Sequence, residues 1–203
     1  MRGVLHKWAA ILAIPAGVVL TVGASGIRAS VAMAIFAFGA VAMLGVSAFV
    51  HSRDWPPERV ETLIRLDHSA IFVMYATTAT PIAMLGLHGR VSTAMLLIVW
   101  VAGTAGVVTE WMPVHPPAGV MNTVYLSLGW SMMAFMPWLV KDLTAGQLVL
   151  LLVGGGAYTV GAIVVGARKP DPWTNTFGYH EIWHVFVVMA VVFHGWMALS
   201  LGW

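Results

Sequence analysis

The sequence predicts an all-α integral membrane protein, a single domain over residues 1–203 that folds as a bundle of seven transmembrane helices. Hydrophobic residues make up 60% of the chain and charged residues only 9%, and a bilayer core needs about 20 apolar residues for each spanning helix. Lipid offers the backbone no hydrogen-bonding partners, so each apolar stretch must be helical. The expected helices are 8–27, 29–51, 67–87, 91–109, 118–140, 144–167 and 179–202.

Polar or turn-forming residues mark the ends of the first three helices. The first (8–27) follows Lys7, and its start resembles a signal peptide, but we expect it to be retained because the count of crossings needs it. The second (29–51) ends at His51 in SAFVHSRD. A polar segment from Asp54 leads to the third (67–87), which Asp67 opens in RLDHSAI and which Pro81 should kink.

Short loops join the last four helices. The turn Val114-His115-Pro116-Pro117 separates 91–109 from 118–140. The next helix (144–167) carries a run of three glycines at 154–156 and the pair Ala157 and Gly161, a small-residue pattern that favours close helix contact. A rigid turn at 169–172 precedes the last helix, 179–202.

Charge placement predicts the orientation in the membrane. Seven of the ten Lys and Arg residues fall on one side of the predicted bundle, at Arg2, Lys7, Arg53, Arg59, Arg65, Arg168 and Lys169. By the positive-inside rule the N-terminus is cytoplasmic and the C-terminus, after seven crossings, is outside. The net charge of +2 is too small to imply nucleic acid as a partner. The absence of cysteine excludes disulfides and thiolate metal ligands.

Three histidines and one carboxylate are predicted to lie at the cytoplasmic ends of helices. His180 and His184 are four residues apart in FGYHEIWHVF, so both rings lie on one face of the last helix. His51 ends the second helix and Asp67 begins the third. Groups that are far apart in the sequence thus share one depth, and we expect His51, His180 and His184 to bind zinc. The alternative is a polar cluster without a metal.

Three neutral histidines leave zinc one open coordination position. Such sites are usually catalytic, because the open position holds a water whose pKa falls toward ~7. Asp67 could accept the proton of that water, and Ser47, one turn before His51, could hydrogen-bond the water, a ligand or a substrate carbonyl. Alternatively, Asp67 pairs with Arg65 or benefits from its helix N-terminus, and the Ser47 hydroxyl bonds back to its own helix.

Two further residues of the last helix need a separate interpretation. The segment from His180 to His184 also reads H-E-x-x-H, in which Glu181 would be the base of a zinc protease. That motif is short, and a carboxylate is favoured in the first turn of a helix without any catalytic role. His194 lies about 15 Å deeper than His184 by helix rise, so it cannot bind the same ion. We expect it to line a polar cavity or to pack against another helix.

Several segments resemble the hemolysin III family, bacterial relatives of the progestin and adiponectin receptors. They are SAFVH, LDHSAIFVMYATTATP, YLSLGW and YTVGAIVVGARKPDPWTNTFGYHEIWHVFVVMAVVFHGWMAL, within roughly residues 40–200. The resemblance implies a bacterial inner-membrane location, zinc ligands at His51, His180 and His184, and Asp67 and Ser47 beside the metal. LHKWAA only partly matches the family's T-H-G stretch, so no role is expected for His6.

The superfamily that this family forms with alkaline ceramidases implies hydrolysis. We therefore expect a membrane-embedded, zinc-dependent hydrolase that acts on the acyl amide or ester of a membrane lipid. The main alternative is a zinc-containing receptor or a pore of the hemolysin type, without hydrolase activity. Two further alternatives are an intramembrane zinc protease that uses Glu181 and a haem-binding cytochrome. The cytochrome would need histidines paired across facing helices, whereas histidines one turn apart suit a small ion. The sequence does not indicate an oligomeric state.

Overall fold

Helices account for nearly all of the backbone. The computed structural model describes residues 3–113, 118–173 and 176–203, so Arg2 and His115 lie outside the described residues. A single isolated bridge between Trp173 and Phe177 lies in the loop before the last helix. The α-helices are α1 (Val4–Gly23), α2 (Ile27–Val50), α3 (Pro57–Pro81), α4 (Gly89–Glu110), α5 (Ala118–Ser131), α6 (Met136–Asp142), α7 (Ala145–Ala167) and α8 (Tyr179–Gly202).

These helices form seven segments that are long and apolar enough to cross a membrane. A π turn at Ile82–Gly86 extends α3, and a 3-10 turn at Met132–Phe135 joins α5 to α6, so each of these combinations is one span. The predicted fold class, an all-α protein with seven transmembrane helices, is therefore confirmed. Which ends face the cytoplasm stays a prediction.

The third span begins earlier than expected. The sequence predicts its start at Asp67, whereas α3 begins at Pro57, because proline is favoured in the first turn of a helix and the polar residues that follow continue the helix. Asp67 therefore lies inside a continuous helix, and the idea that it benefits from a helix N-terminus is wrong. The first helix also begins early, at Val4 rather than residue 8, which places His6 in its first turn.

The last helix contributes to two apolar clusters in the interior of the bundle. α1 packs along α2, α2 along α3, and α7 along α8. One apolar cluster includes Met33 and Phe36 of α2 together with Val187 of α8. A second includes Leu139 of α6 and Met197 of α8. Since α8 contributes to both clusters, its His184 and His194 are buried in the interior of the bundle, while His180 is partly buried.

Small residues allow α7 to approach α8 closely, as the sequence predicts. A Cβ atom added at Gly161 would lie 2.6 Å from Cε3 of Trp183 and 2.9 Å from Cβ of Phe186. At Gly156, on the same helix, an added Cβ would meet nothing within 4 Å. Close contact therefore depends on Gly161 and not on every glycine of the α7 pattern.

Gly161→Ala should destabilise the protein, because the new methyl group overlaps Trp183 and the helix interface must shift. Overpacking of this kind costs about 1–3 kcal/mol. Gly156→Ala is the matched control, and it should leave the unfolding midpoint unchanged or raise it slightly. Thermal or denaturant unfolding in detergent measures both variants. Equal midpoints for the two variants would contradict the close contact at Gly161.

Candidate metal centre

The three histidines expected to bind zinc lie together. His51 caps the C-terminus of α2, while His180 and His184 lie in the first turns of α8. One ligand atom from each residue lies within 4.8 Å of the other two. The ring centroids are 4.7 Å apart for His180 and His184, 4.9 Å for His51 and His180, and 5.2 Å for His51 and His184. Small displacements of the side chains would let all three rings contact one ion.

Local hydrogen bonds fix the two helix ends that carry these rings. The backbone N–H of His51 donates to the carbonyl of Ser47 at 3.0 Å, and the Trp55 indole N–H donates to the carbonyl of Val50 at 2.8 Å. At the start of α8, the N–H of Gly178 donates to Oε2 of Glu181 at 2.9 Å. Glu181 thus caps the helix that presents His180 and His184, which is the structural role that the sequence left open for it.

The sequence assigned no role to His6, yet its ring contacts His184 directly. The His184 Nδ1 atom lies 2.8 Å from Nδ1 and 2.9 Å from Nε2 of His6, and the ring centroids are 3.9 Å apart. Both residues are buried. His184 Nε2 is also buried, and no hydrogen-bond partner for it is present among the described residues. The contact leaves this nitrogen available to a metal ion. The available sequence signal was that a histidine near the start of the first helix would share the predicted depth of the other three.

Asp67 lies beside the histidines although it does not begin its helix. Its Oδ2 atom is 3.4 Å from Nε2 of His51, and both side chains are partly exposed. Arg65 does not pair with it as the alternative interpretation required. Instead, Arg65 donates to Oε1 of Glu61 at 2.7 Å and to the carbonyl of Glu110 at 2.7 Å. The Asp67 carboxylate therefore faces the histidine cluster.

A cavity of about 430 Å³ connects the cluster to the interior of the bundle. This volume is within the range of small-molecule sites. Ser47 is buried and lines the cavity together with the three histidines, Asp67 and His6, and most of the remaining lining side chains are apolar. The arrangement combines polar groups at one end with an apolar chamber that could hold a hydrocarbon chain.

Comparisons with known proteins agree with the resemblance in the sequence. The family model described as "Haemolysin-III related" matches residues 1–195. The chain belongs to this haemolysin-III-related family. It is 32% identical over 191 residues to Hemolysin-3 of Bacillus cereus, covering 92% of this chain and 84% of that protein. It is 31% identical over 190 residues to a Hemolysin-3 homolog of Bacillus subtilis (strain 168), covering 92% of this chain and 86% of that protein.

This haemolysin-III-related chain has a second polar cluster that the sequence did not indicate. Glu110, at the end of α4, is buried, and its Oε1 accepts from the Tyr125 hydroxyl at 2.7 Å. His68 Nδ1 lies 3.4 Å from the other carboxylate oxygen. Together with the bond from Arg65 to the Glu110 carbonyl, these contacts tie α3, α4 and α5 together beside Asp67. The partners are distant in sequence, so no local motif indicated them.

Proposed function

We propose that this protein is a membrane-embedded, zinc-dependent hydrolase that acts on the acyl amide or ester of a membrane lipid. His51, His180 and His184 would hold the ion. The observation that carries the proposal is the buried Nε2 of His184, which lacks a hydrogen-bond partner among the described residues while Nδ1 contacts His6. A buried polar atom without a partner is costly, and coordination to a metal would remove that cost. Neutral imidazoles are common zinc ligands, and catalytic zinc often has three protein ligands.

The residues around the cluster fit the steps of hydrolysis. A bound zinc ion supplies Lewis acidity, which lowers the pKa of water and polarises a carbonyl. Asp67 faces the cluster and takes the proton from the attacking water, then returns it to the leaving amine or alkoxide. Ser47 donates a hydrogen bond to the substrate carbonyl. His6 holds the ring of His184 in the orientation that directs Nε2 toward the ion.

The cavity supports a lipid as the substrate. Its polar end contains the proposed catalytic groups, and the apolar lining elsewhere accommodates an acyl chain out of contact with water. The part of the chain that the structure describes has seven segments able to cross a membrane, so the substrate would arrive from the bilayer. The distribution of Lys and Arg supports placing the reaction near the cytoplasmic face of a bacterial inner membrane.

A receptor or a pore is the second candidate function. The relatives are named hemolysins, and an ion held by His51 of α2 and by two histidines of α8 would tie these helices together without any chemistry. In that case the cavity would hold a lipid that is bound but not cleaved. Activity measurements separate the two candidates.

Purified protein should contain about one zinc per chain. His51→Ala and His184→Ala should each remove most of it, because two ligands hold the ion poorly. His6→Ala should keep the ligands but weaken zinc binding about 10–100-fold, the usual effect of removing a group that orients a metal-binding histidine. His88→Ala is the control, since His88 is exposed and pairs with Asp142 away from the cluster. Metal analysis measures all four variants. Stoichiometric iron with a haem absorption band would contradict the proposal.

Asp67→Asn should abolish hydrolysis while zinc remains bound, because the amide keeps the shape of the carboxylate but cannot accept the proton. The expected loss is at least ~10²-fold. Glu181→Gln should have a mild effect, since a glutamine oxygen can still accept the hydrogen bond from Gly178. Release of fatty acid from a panel of lipid amides and esters measures both. The reverse pattern would assign the base to Glu181, and inactivity of the wild type on the whole panel would favour the receptor or pore.

A further inference from the structure

Three polar side chains from three different helices line the cavity away from the histidine cluster. Helix rise places Thr78, eleven residues after Asp67, and His194, ten residues after His184, each about 15 Å from the cluster. Thr78 comes from α3, Tyr158 from α7 and His194 from α8, and all three line the same cavity as His184. The rings of Tyr158 and His194 are stacked, with centroids 5.9 Å apart and an interplanar angle of 25°. Gly154 allows this arrangement, because an added Cβ there would lie 2.6 Å from Nε2 of His194.

The hydroxyl groups of Thr78 and Tyr158 are buried, and neither has a hydrogen-bond partner among the described residues. Neighbouring threonines on α3 behave differently. Thr77 donates to the carbonyl of Val73 at 2.9 Å, and Thr80 donates to the carbonyl of Ala76 at 2.8 Å. Thr78 makes no such bond to its own helix. Neither ring nitrogen of His194 makes a hydrogen bond of ordinary geometry to any residue that the structure describes, although the Leu151 carbonyl lies near the ring.

We propose that Thr78, Tyr158 and His194 form a subsite for an uncharged hydroxyl or carbonyl group on the chain of the bound lipid. Buried polar groups are nearly always hydrogen-bonded. Three side chains in one chamber that lack ordinary hydrogen bonds therefore indicate a polar group on the ligand. The hydroxyls and the imidazole can each donate or accept. Asp67, at the opposite end, is the only Asp, Glu, Lys or Arg among the lining residues that the structure describes. The site therefore offers no counter-ion for a charged group.

The position of the subsite defines the substrate class. His194 follows His184 by ten residues on one helix, which places it about 15 Å farther along the helix axis. Given the proposed function, on which this step rests, the hydrolysed carbonyl lies at the histidine cluster and the chain extends toward Tyr158. The preferred substrate is then a lipid whose long acyl chain carries a hydroxyl or oxo group well away from the amide or ester.

Binding of free fatty acids tests the subsite without requiring hydrolysis. The probes are stearic acid and positional isomers of hydroxystearic acid, measured by displacement of a fluorescent fatty acid from the purified full-length protein. Wild type should bind one isomer with a distant hydroxyl about tenfold tighter than stearic acid, as expected for about one net hydrogen bond. An isomer with the hydroxyl next to the carboxyl should show no such gain.

Tyr158→Phe and Thr78→Val should each reduce the preference for the distant hydroxyl while still binding stearic acid like the wild type, which shows that they fold. Tyr75→Phe is the matched control, because Tyr75 lines the same cavity but its hydroxyl already pairs with Ser131 at 2.8 Å. Equal binding of all the acids by the wild type would overturn the subsite, as would a preference that survives both substitutions.

The binding result is separable from the proposed function. A protein that hydrolyses no lipid but prefers the distant hydroxyl in a Tyr158-dependent way supports the subsite and contradicts the hydrolase. An active hydrolase with no preference among the acids contradicts the subsite alone.

Discussion

The contact between His6 and His184 orients the ring on which the whole site depends. An imidazole presents two nitrogens, and the partner of one decides what the other can do. Here the Nδ1 atom of His184 contacts His6, and Nε2 is left without a hydrogen-bond partner among the described residues. Both rings are buried, so the contact is shielded from bulk water. The first and last helices of the chain are therefore joined at the point where the metal would bind.

The membrane setting explains why polar groups concentrate in one cavity. In a chain with so few charged residues, each polar side chain inside the bundle needs a partner or a function. The Glu110 cluster meets this requirement with protein partners, since Tyr125 donates to the carboxylate. The histidine cluster and the groups around Tyr158 meet it only in part. A metal ion at one end of the cavity and a polar lipid chain at the other would supply the partners that these two groups of side chains lack.

The sequence predicted the fold class and most of the candidate site because both depend on simple regularities. Spanning helices require long apolar stretches, and His180 and His184 share a face through their spacing of four. Asp67 was predicted to lie near the three histidines, and it lies beside His51, but part of the reasoning was wrong. Its helix was expected to begin at that residue, since the polar segment before it resembled a loop, whereas Pro57 begins the helix.

Contacts between distant residues could not be predicted in the same way. His6 is separated from His184 by nearly the whole chain, and its partial match to a family motif gave no reason to assign it a role. Glu110, His68 and Tyr125 meet only because α3, α4 and α5 pack side by side. Hydropathy and spacing describe one helix at a time, so they do not show which faces of different helices come together.

X-ray absorption spectroscopy at the zinc edge of the purified protein identifies the ligands of the proposed ion. An ion held by His51, His180 and His184 should show four light scatterers at about 2.0–2.1 Å, with the multiple-scattering signature of three imidazole rings and one additional oxygen. A first shell of six oxygens would contradict it, because such a shell indicates carboxylate or water ligands rather than histidines. A shell with a single imidazole, or protein that carries no zinc, would also contradict a site built from His51, His180 and His184.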